Sequence, residues 1–283
     1  MPLMSAFTAY ELERQSLSNV EIEAILDSGH QWKFGHILNA GGGLLFPHTY
    51  LKQCGHQIAA VVQACLDSDA DQIVVLGVLH PNCHALKKLM EAHSTEEQKK
   101  GARGIWGPDI GGKNFWQDEF SLHGFLFLWE HEVKRRGIKA PKLYQRYPLI
   151  LGNDVSDVKG IKELEQLAKD AVVVMTGDLC HHGAAYNHMN ELALNINDYT
   201  KVYAKEVINH GFSLLEDKKI DLYKEHCKKV RNDCFETSLV FNHLKGLFSH
   251  EISDIQLINT DQLYPNETPP NWVAASLVKI NAL

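Results

Sequence analysis

Between residues 172 and 183 the chain reads VVVMTGDLCHHG, an apolar run that breaks into Asp178, Cys180, His181 and His182. Such groups are costly to bury without partners, and their types ligate metals and move protons. Two other apolar runs end in a similar way: GLLF leads through Pro47 to His48, and QIVVLGVL leads to His80. Open α/β sheets bind ligands beyond the carboxyl ends of their strands. Three neighbouring parallel strands would therefore set His48, His80 and His181 on one rim. For any one of these histidines a hydrogen-bonded loop position is the plainer account, but three at equivalent strand ends strain that account.

A metal site needs a third strong ligand. Cys234, in RNDCFETSLVF, directly precedes a helical pattern, and a helix N-terminus favours a thiolate. The competing reading is a small buried apolar residue, and the flanking Asp233 and Glu236 offer carboxylates instead. His80 and His84, in HPNCH, have the i, i+4 spacing of helical zinc ligands but lack the adjacent glutamate of a zinc protease, so that pairing ranks second. Two imidazoles with one anionic ligand leave open positions on a metal. A carboxylate there gives the facial arrangement of non-haem Fe(II) oxygenases, and a thiolate softens the site toward copper, iron or zinc. His181 is the candidate acid/base; Asp178 either orients it or caps the turn, and His182 is expected to point elsewhere, toward solvent.

The elements that must position these residues read as alternating strands and helices. Apolar, β-branched runs at 43–46, 72–79, 147–152, 171–177, 255–259 and 273–280 predict strands buried on both faces. Helical spacing marks 54–68, 121–137, 155–169, 197–219 and 235–248. This alternation predicts an α/β fold: a three-layer α/β/α single domain over residues 1–283 with a central, largely parallel or mixed sheet. AGGG (40–43) precedes a strand instead of joining strand to helix, so it reads as a flexible turn and not a phosphate loop. GARGIWGPDIGGKNFWQDE (101–119) reads as a long loop, either a lid carrying Trp106 and Trp116 or a surface loop pinned by them.

The 283 residues, 45% of them hydrophobic and 22% charged, suit an ordinary globular protein. A formal net charge of -7 argues against nucleic acid or an anionic membrane as partner, and Lys134, Arg135 and Arg136 sit among acids on a helix surface. No apolar run approaches the roughly 18 residues of a membrane span, and no secretory leader is apparent. Six irregularly spaced cysteines fit free thiols in a reducing cytoplasm better than a disulfide framework.

The order of the motifs resembles the Memo family, whose fold is shared with class III extradiol ring-cleavage dioxygenases. LFPHTYLKQCG resembles that family's PHAGY-x-x-x-G, VVLGVLHPNCH its LGPSHH, QDEFSLHGFLFLW its D-E-HS-(I/L)-E-x-x-LPF, and VVVMTGDLCHHG its VVSSDFSHYG. RNDCFETSLVF falls at the family's late cysteine. The resemblance spans about residues 44 to 280 and leaves 1–43 as a divergent N-terminal segment. It implies metal ligands His48, His80 and Cys234, a catalytic His181 with Asp178, and substrate contacts at Glu119, His123, Tyr50 and His84. The expected function is a mononuclear, Fe(II)-dependent, dioxygenase-like oxidoreductase, with Cu or Zn as other metals, acting on a catechol- or aminophenol-like small molecule. Relatives of that fold also suggest a homodimer. Phe120 and His123 stand where the family has its second-site histidine and glutamate. That departure keeps two alternatives open: a non-catalytic or copper-binding protein for a peptide or small molecule, and a zinc-dependent hydrolase.

Overall fold

The computed structural model describes residues 5–91, 101–109, 116, 118–188 and 194–283. Eight strands form one mixed sheet: β1 (Gly43–Phe46), β2 (Gln72–Leu76), β3 (Gly104–Trp106), β4 (Lys142–Leu149), β5 (Val172–Thr176), β6 (His181–His182), β7 (Phe248–Asn259) and β8 (Trp272–Ala282). Their order is β3-β4-β2-β5-β1-β8-β6, with β7 also paired to β8. The inner four, β4, β2, β5 and β1, are mutually parallel, and the outer pairings are antiparallel.

The side-chain period of two explains why the inner strands carry no polar face. Val74, Leu76, Val173 and Met175 enter one apolar core, together with Ile161, Ile208, Phe212, Tyr223 and Val240. Ile73, Val75, Val172 and Val174 enter the other, with Leu26, Ile58, Val62, Phe125 and Leu128. Helices Ile161–Ala168, Asp198–Glu216, Ile220–Val230 and Phe235–Lys245 cover the first face. Asn19–Gly29, Leu51–Leu66 and His123–Arg136 cover the second. The three-layer α/β arrangement expected from the apolar runs is thus present. No helix among the described residues is long and apolar enough to cross a membrane.

Boundaries moved where strands lose cover. β4 begins at Lys142, well before the apolar run at 147, because its first five residues are exposed or only partly buried and can stay polar. β7 begins at Phe248 for the same reason, since it pairs only with β8 and leaves a half-exposed side. Part of the expected 101–119 loop is β3, antiparallel to the end of β4. There Trp116 is buried and stacks on Tyr147 with ring centroids 5.0 Å apart, while residues 110–115 and 117 lie outside the described residues. The AGGG turn is tighter than a flexible connector: Gly41 takes φ +83°, and a methyl on Gly43 would stand 2.3 Å from the Phe241 ring.

Before β1 lie helices Ala6–Ser16, Asn19–Gly29 and Gly35–Asn39, none of them predicted. A signal for the second was present. Ser18 and Glu21 form a reciprocal capping box at its start. Glu13 of the first helix accepts hydrogen bonds from the Leu51 and Lys52 N–H groups at 2.7 and 3.1 Å, capping the helix that follows His48. The N-terminal segment is therefore docked beside the strand-end rim.

Candidate metal centre

The parallel register aligns Phe46 with Thr176 and Leu76 with Met175, so the chain leaves β1, β2 and β5 at one edge. His48, His80 and Asp178 follow within a few residues. Glycine comes directly after β2 and after β5, and both positions are crowded. A methyl on Gly77 would stand 2.4 Å from the Tyr147 ring, and one on Gly177 would stand 2.0 Å from the Cys234 Cβ. Only glycine at 177 lets the turn before helix Phe235–Lys245 lie against the strand end. That turn delivers Asp233.

Three imidazoles converge on one carboxylate oxygen. Asp233 Oδ2 lies 3.3 Å from His48 Nε2, 4.0 Å from His80 Nε2 and 3.9 Å from His181 Nε2. Each ring is held through its other nitrogen. The Thr176 hydroxyl donates to the Phe46 carbonyl at 2.8 Å, so it must accept from His48 Nδ1–H at 3.2 Å. His80 Nδ1–H donates to Glu119 at 2.8 Å, and His181 Nδ1–H donates to the Arg231 carbonyl at 2.6 Å. These partners leave each neutral ring with its Nε2 lone pair facing the centre, the tautomer that metal ligation requires. Asp233 is itself oriented by the Asp178 N–H, which donates to its Oδ1 at 2.8 Å.

The charge balance also favours positive charge at the centre. Asp178 is buried and Asp233 faces the same centre, with Glu119 fully buried behind His80. Burial disfavours charge on His48, but the Asp178 and Asp233 carboxylates outweigh it and push its pKa up to about 9. Burial likewise opposes charge on Asp233, yet His48 and the other imidazoles hold it down at about 2. Burial raises the Asp178 carboxyl. The cluster thus draws a proton onto His48 to offset its carboxylates, and an ion bound by Nε2 would take that proton's place. Two donors each about 2.1 Å from a tetrahedral ion lie roughly 3.4 Å apart, close to the His48–Asp233 separation. His48, His80 and Asp233 offer donor atoms that all lie within 4.8 Å of one another.

The anionic group that reaches the imidazoles is the carboxylate of Asp233, and the Cys234 thiol, expected there as a ligand, faces the core instead. Cys234 is fully buried, its sulfur lies 3.1 Å from the Ser238 hydroxyl, and burial pushes its pKa up to about 12. A helix start does not yield a thiolate when the sulfur is sealed in the apolar core. Glu236 points elsewhere and accepts the Leu151 N–H at 2.9 Å. Asp178 does not orient His181, a task that falls to the Arg231 carbonyl; its Oδ1 accepts the His48 N–H at 3.4 Å instead. His182 is buried, not solvated. The strand period turns it away from His181 to stack on Trp272 at 5.0 Å.

Of the residues expected at the substrate, Glu119 anchors His80 and also accepts the N–H groups of His80 and Ser121 at 2.7 and 2.9 Å. His123 lies beside Phe7, its ring 5.9 Å away, in a surface groove with Glu11 and Arg14. His84 is exposed at a helix start, where its N–H meets the Asp118 carboxylate at 2.7 Å. Tyr50 packs edge-on against Tyr10 at 4.9 Å. The aromatic surround of the centre comes largely from residues that sequence reasoning passed over. Phe120 stacks on His80 at 4.1 Å, Tyr10 meets Phe120 at 5.4 Å, Tyr186 meets His181 at 4.7 Å, and Tyr264 meets Tyr186 at 5.3 Å. The His48 side chain is 3% exposed, whereas His80, His181 and Asp233 keep 18%, 12% and 21%. The centre therefore opens on one side.

No protein-family model matches this chain, and no curated protein sequence does.

Proposed function

We propose that His48, His80 and Asp233 hold a single Fe(II) ion and that the protein is a non-haem, dioxygenase-like oxidoreductase for a small catechol- or aminophenol-like substrate. The observation that carries this reading is the convergence of three Nε2 atoms on Asp233 Oδ2, each ring held through its Nδ1. Two imidazoles and one carboxylate form the donor set of the facial iron triad, and the harder carboxylate disfavours copper relative to the thiolate first expected. The ordered resemblance to the Memo and extradiol proteins points to the same chemistry. Bound there, iron would bring substrate and oxygen together at its open positions.

The chain's own residues supply the rest. Glu119, Thr176 and the Asp178 N–H orient the three ligands toward one centre. His181, held by the Arg231 carbonyl, directs Nε2 at the same centre and takes a proton from a substrate hydroxyl there. Phe120, Tyr10, Tyr186 and Tyr264 offer ring faces and edges to an aromatic substrate and exclude water around it.

The test is anaerobic purification, elemental analysis of bound iron, copper and zinc, and oxygen uptake with a panel of catechols and aminophenols, for wild type, His48→Ala and Asp233→Asn. The reading expects iron in wild type, at least a tenfold loss in both variants, and oxygen uptake only by the loaded protein. Unchanged metal content in both variants removes the site. Metal without oxygen uptake leaves a binding protein, and hydrolysis that survives iron chelation makes it a zinc enzyme.

A further inference from the structure

We infer that the centre has room for a second cation, held by Asp178, His181 and Asp233, with Asp233 bridging it to the ion proposed at His48 and His80. This rests on the reading of the first site and goes beyond its single ion. The donors do not fall into one group of five. They fall into two groups of three that share only Asp233, each with its ligating atoms within 4.8 Å of one another. Donors about 2.1 Å from one ion cannot lie more than roughly 4.2 Å apart, so one ion does not readily gather them all.

The second group is built as the first is. His181 Nδ1–H is spent on the Arg231 carbonyl, leaving Nε2 to face Asp233 Oδ2 at 3.9 Å, too long for a hydrogen bond. Arg231 supplies that carbonyl as the left-handed residue, φ 55°, that ends helix Ile220–Val230. Asp178 Oδ1 is used by the His48 N–H, while its Oδ2 stands 3.6 Å from His48 Nε2, again beyond hydrogen-bond length. A buried carboxylate and a fixed imidazole thus stand beside the shared carboxylate as a group separate from His80. The donor set, one nitrogen and two carboxylates, suits Mn(II), Fe(II) or Zn(II). Filling this position withdraws the His181 lone pair from proton transfer, so excess cation would act against turnover.

The experiment titrates Mn(II) into metal-free protein under argon. Free Mn(II) is followed by electron paramagnetic resonance, and the same samples are screened for the exchange-coupled signal of a bridged pair. Two ions per wild-type chain are expected, the second bound at least tenfold more weakly, with a coupled signal at saturation. Asp178→Asn, which keeps an oxygen for the His48 N–H, and His181→Gln should each leave one tight ion and no coupled signal. Thermal melts confirm that both variants are folded. Saturation at one ion in wild type, lost in His48→Ala and unaffected by His181→Gln, overturns the second site and leaves the first standing. Two ions that persist in both variants overturn its location. No bound ion at all removes both sites.

Discussion

At the residue scale the centre depends on which nitrogen of each imidazole carries the proton. Thr176, Glu119 and the Arg231 carbonyl set that choice for His48, His80 and His181 respectively, and such outer partners are typically worth about 10–100-fold in metal affinity. Glu119→Gln should therefore weaken metal binding by about that factor while leaving the ligands in place, as read by competition with a chelator. Cys234→Ser should keep wild-type metal content, because the sulfur it removes faces Ser238 in the core. Metal loss in the serine variant with Asp233 untouched would restore the thiol as ligand. The histidines at 181 and 182 show why residue type alone was insufficient. Neighbours on a strand point to opposite faces, so one reaches the centre and the other reaches Trp272.

At the element scale two contacts bring distant segments to the rim. Parallel pairing aligns the ends of β1, β2 and β5, and the missing side chain of Gly177 admits the turn that carries Asp233. Gly177→Ala forces its Cβ into that of Cys234, and overpacking of this kind costs about 1–3 kcal/mol. The expected outcome is a lower denaturation midpoint together with weaker metal binding, because the turn must move and Asp233 moves with it. A destabilised variant with unchanged metal affinity would show that the turn does not set the ligand's position. The N-terminal helix matters here as well, since Glu13 caps helix Leu51–Leu66 and Tyr10 joins the aromatic surround.

At the scale of the whole molecule, several buried or half-buried histidines make stability depend on pH. Burial lowers the pKa of His123, His182 and His226 to about 4, with like-charged neighbours adding to the shift, against about 6.5 in the unfolded chain. Between these values the unfolded state binds more protons, so stability falls as pH drops from about 6.5 toward 4. His48 works the other way in the metal-free protein. Its folded value of about 9 means that its contribution is complete below about 6.5 and is lost as pH rises through 9. Urea midpoints of metal-free protein should thus peak near neutrality and fall on both sides. His182→Phe, which keeps the stack on Trp272, should reduce the acid-side fall; an unchanged acid limb would remove His182 as a contributor.

The chain by itself determined the layered architecture, because apolar runs on both strand faces leave no alternative to helices on each side, and it marked His48, His80 and His181 as strand-end residues. It could not mark β3, at three residues too short to show a period, or the polar start of β4, whose exposure frees it from any apolar pattern. Nor could it choose between Asp233 and Cys234. These neighbours leave the same turn in different directions, and only the packing of that turn against Gly177 sends the carboxylate to the imidazoles and the sulfur into the core. Local sequence sets which groups a segment carries; the tertiary fold sets which of them share a space, because their meeting depends on contacts made far along the chain.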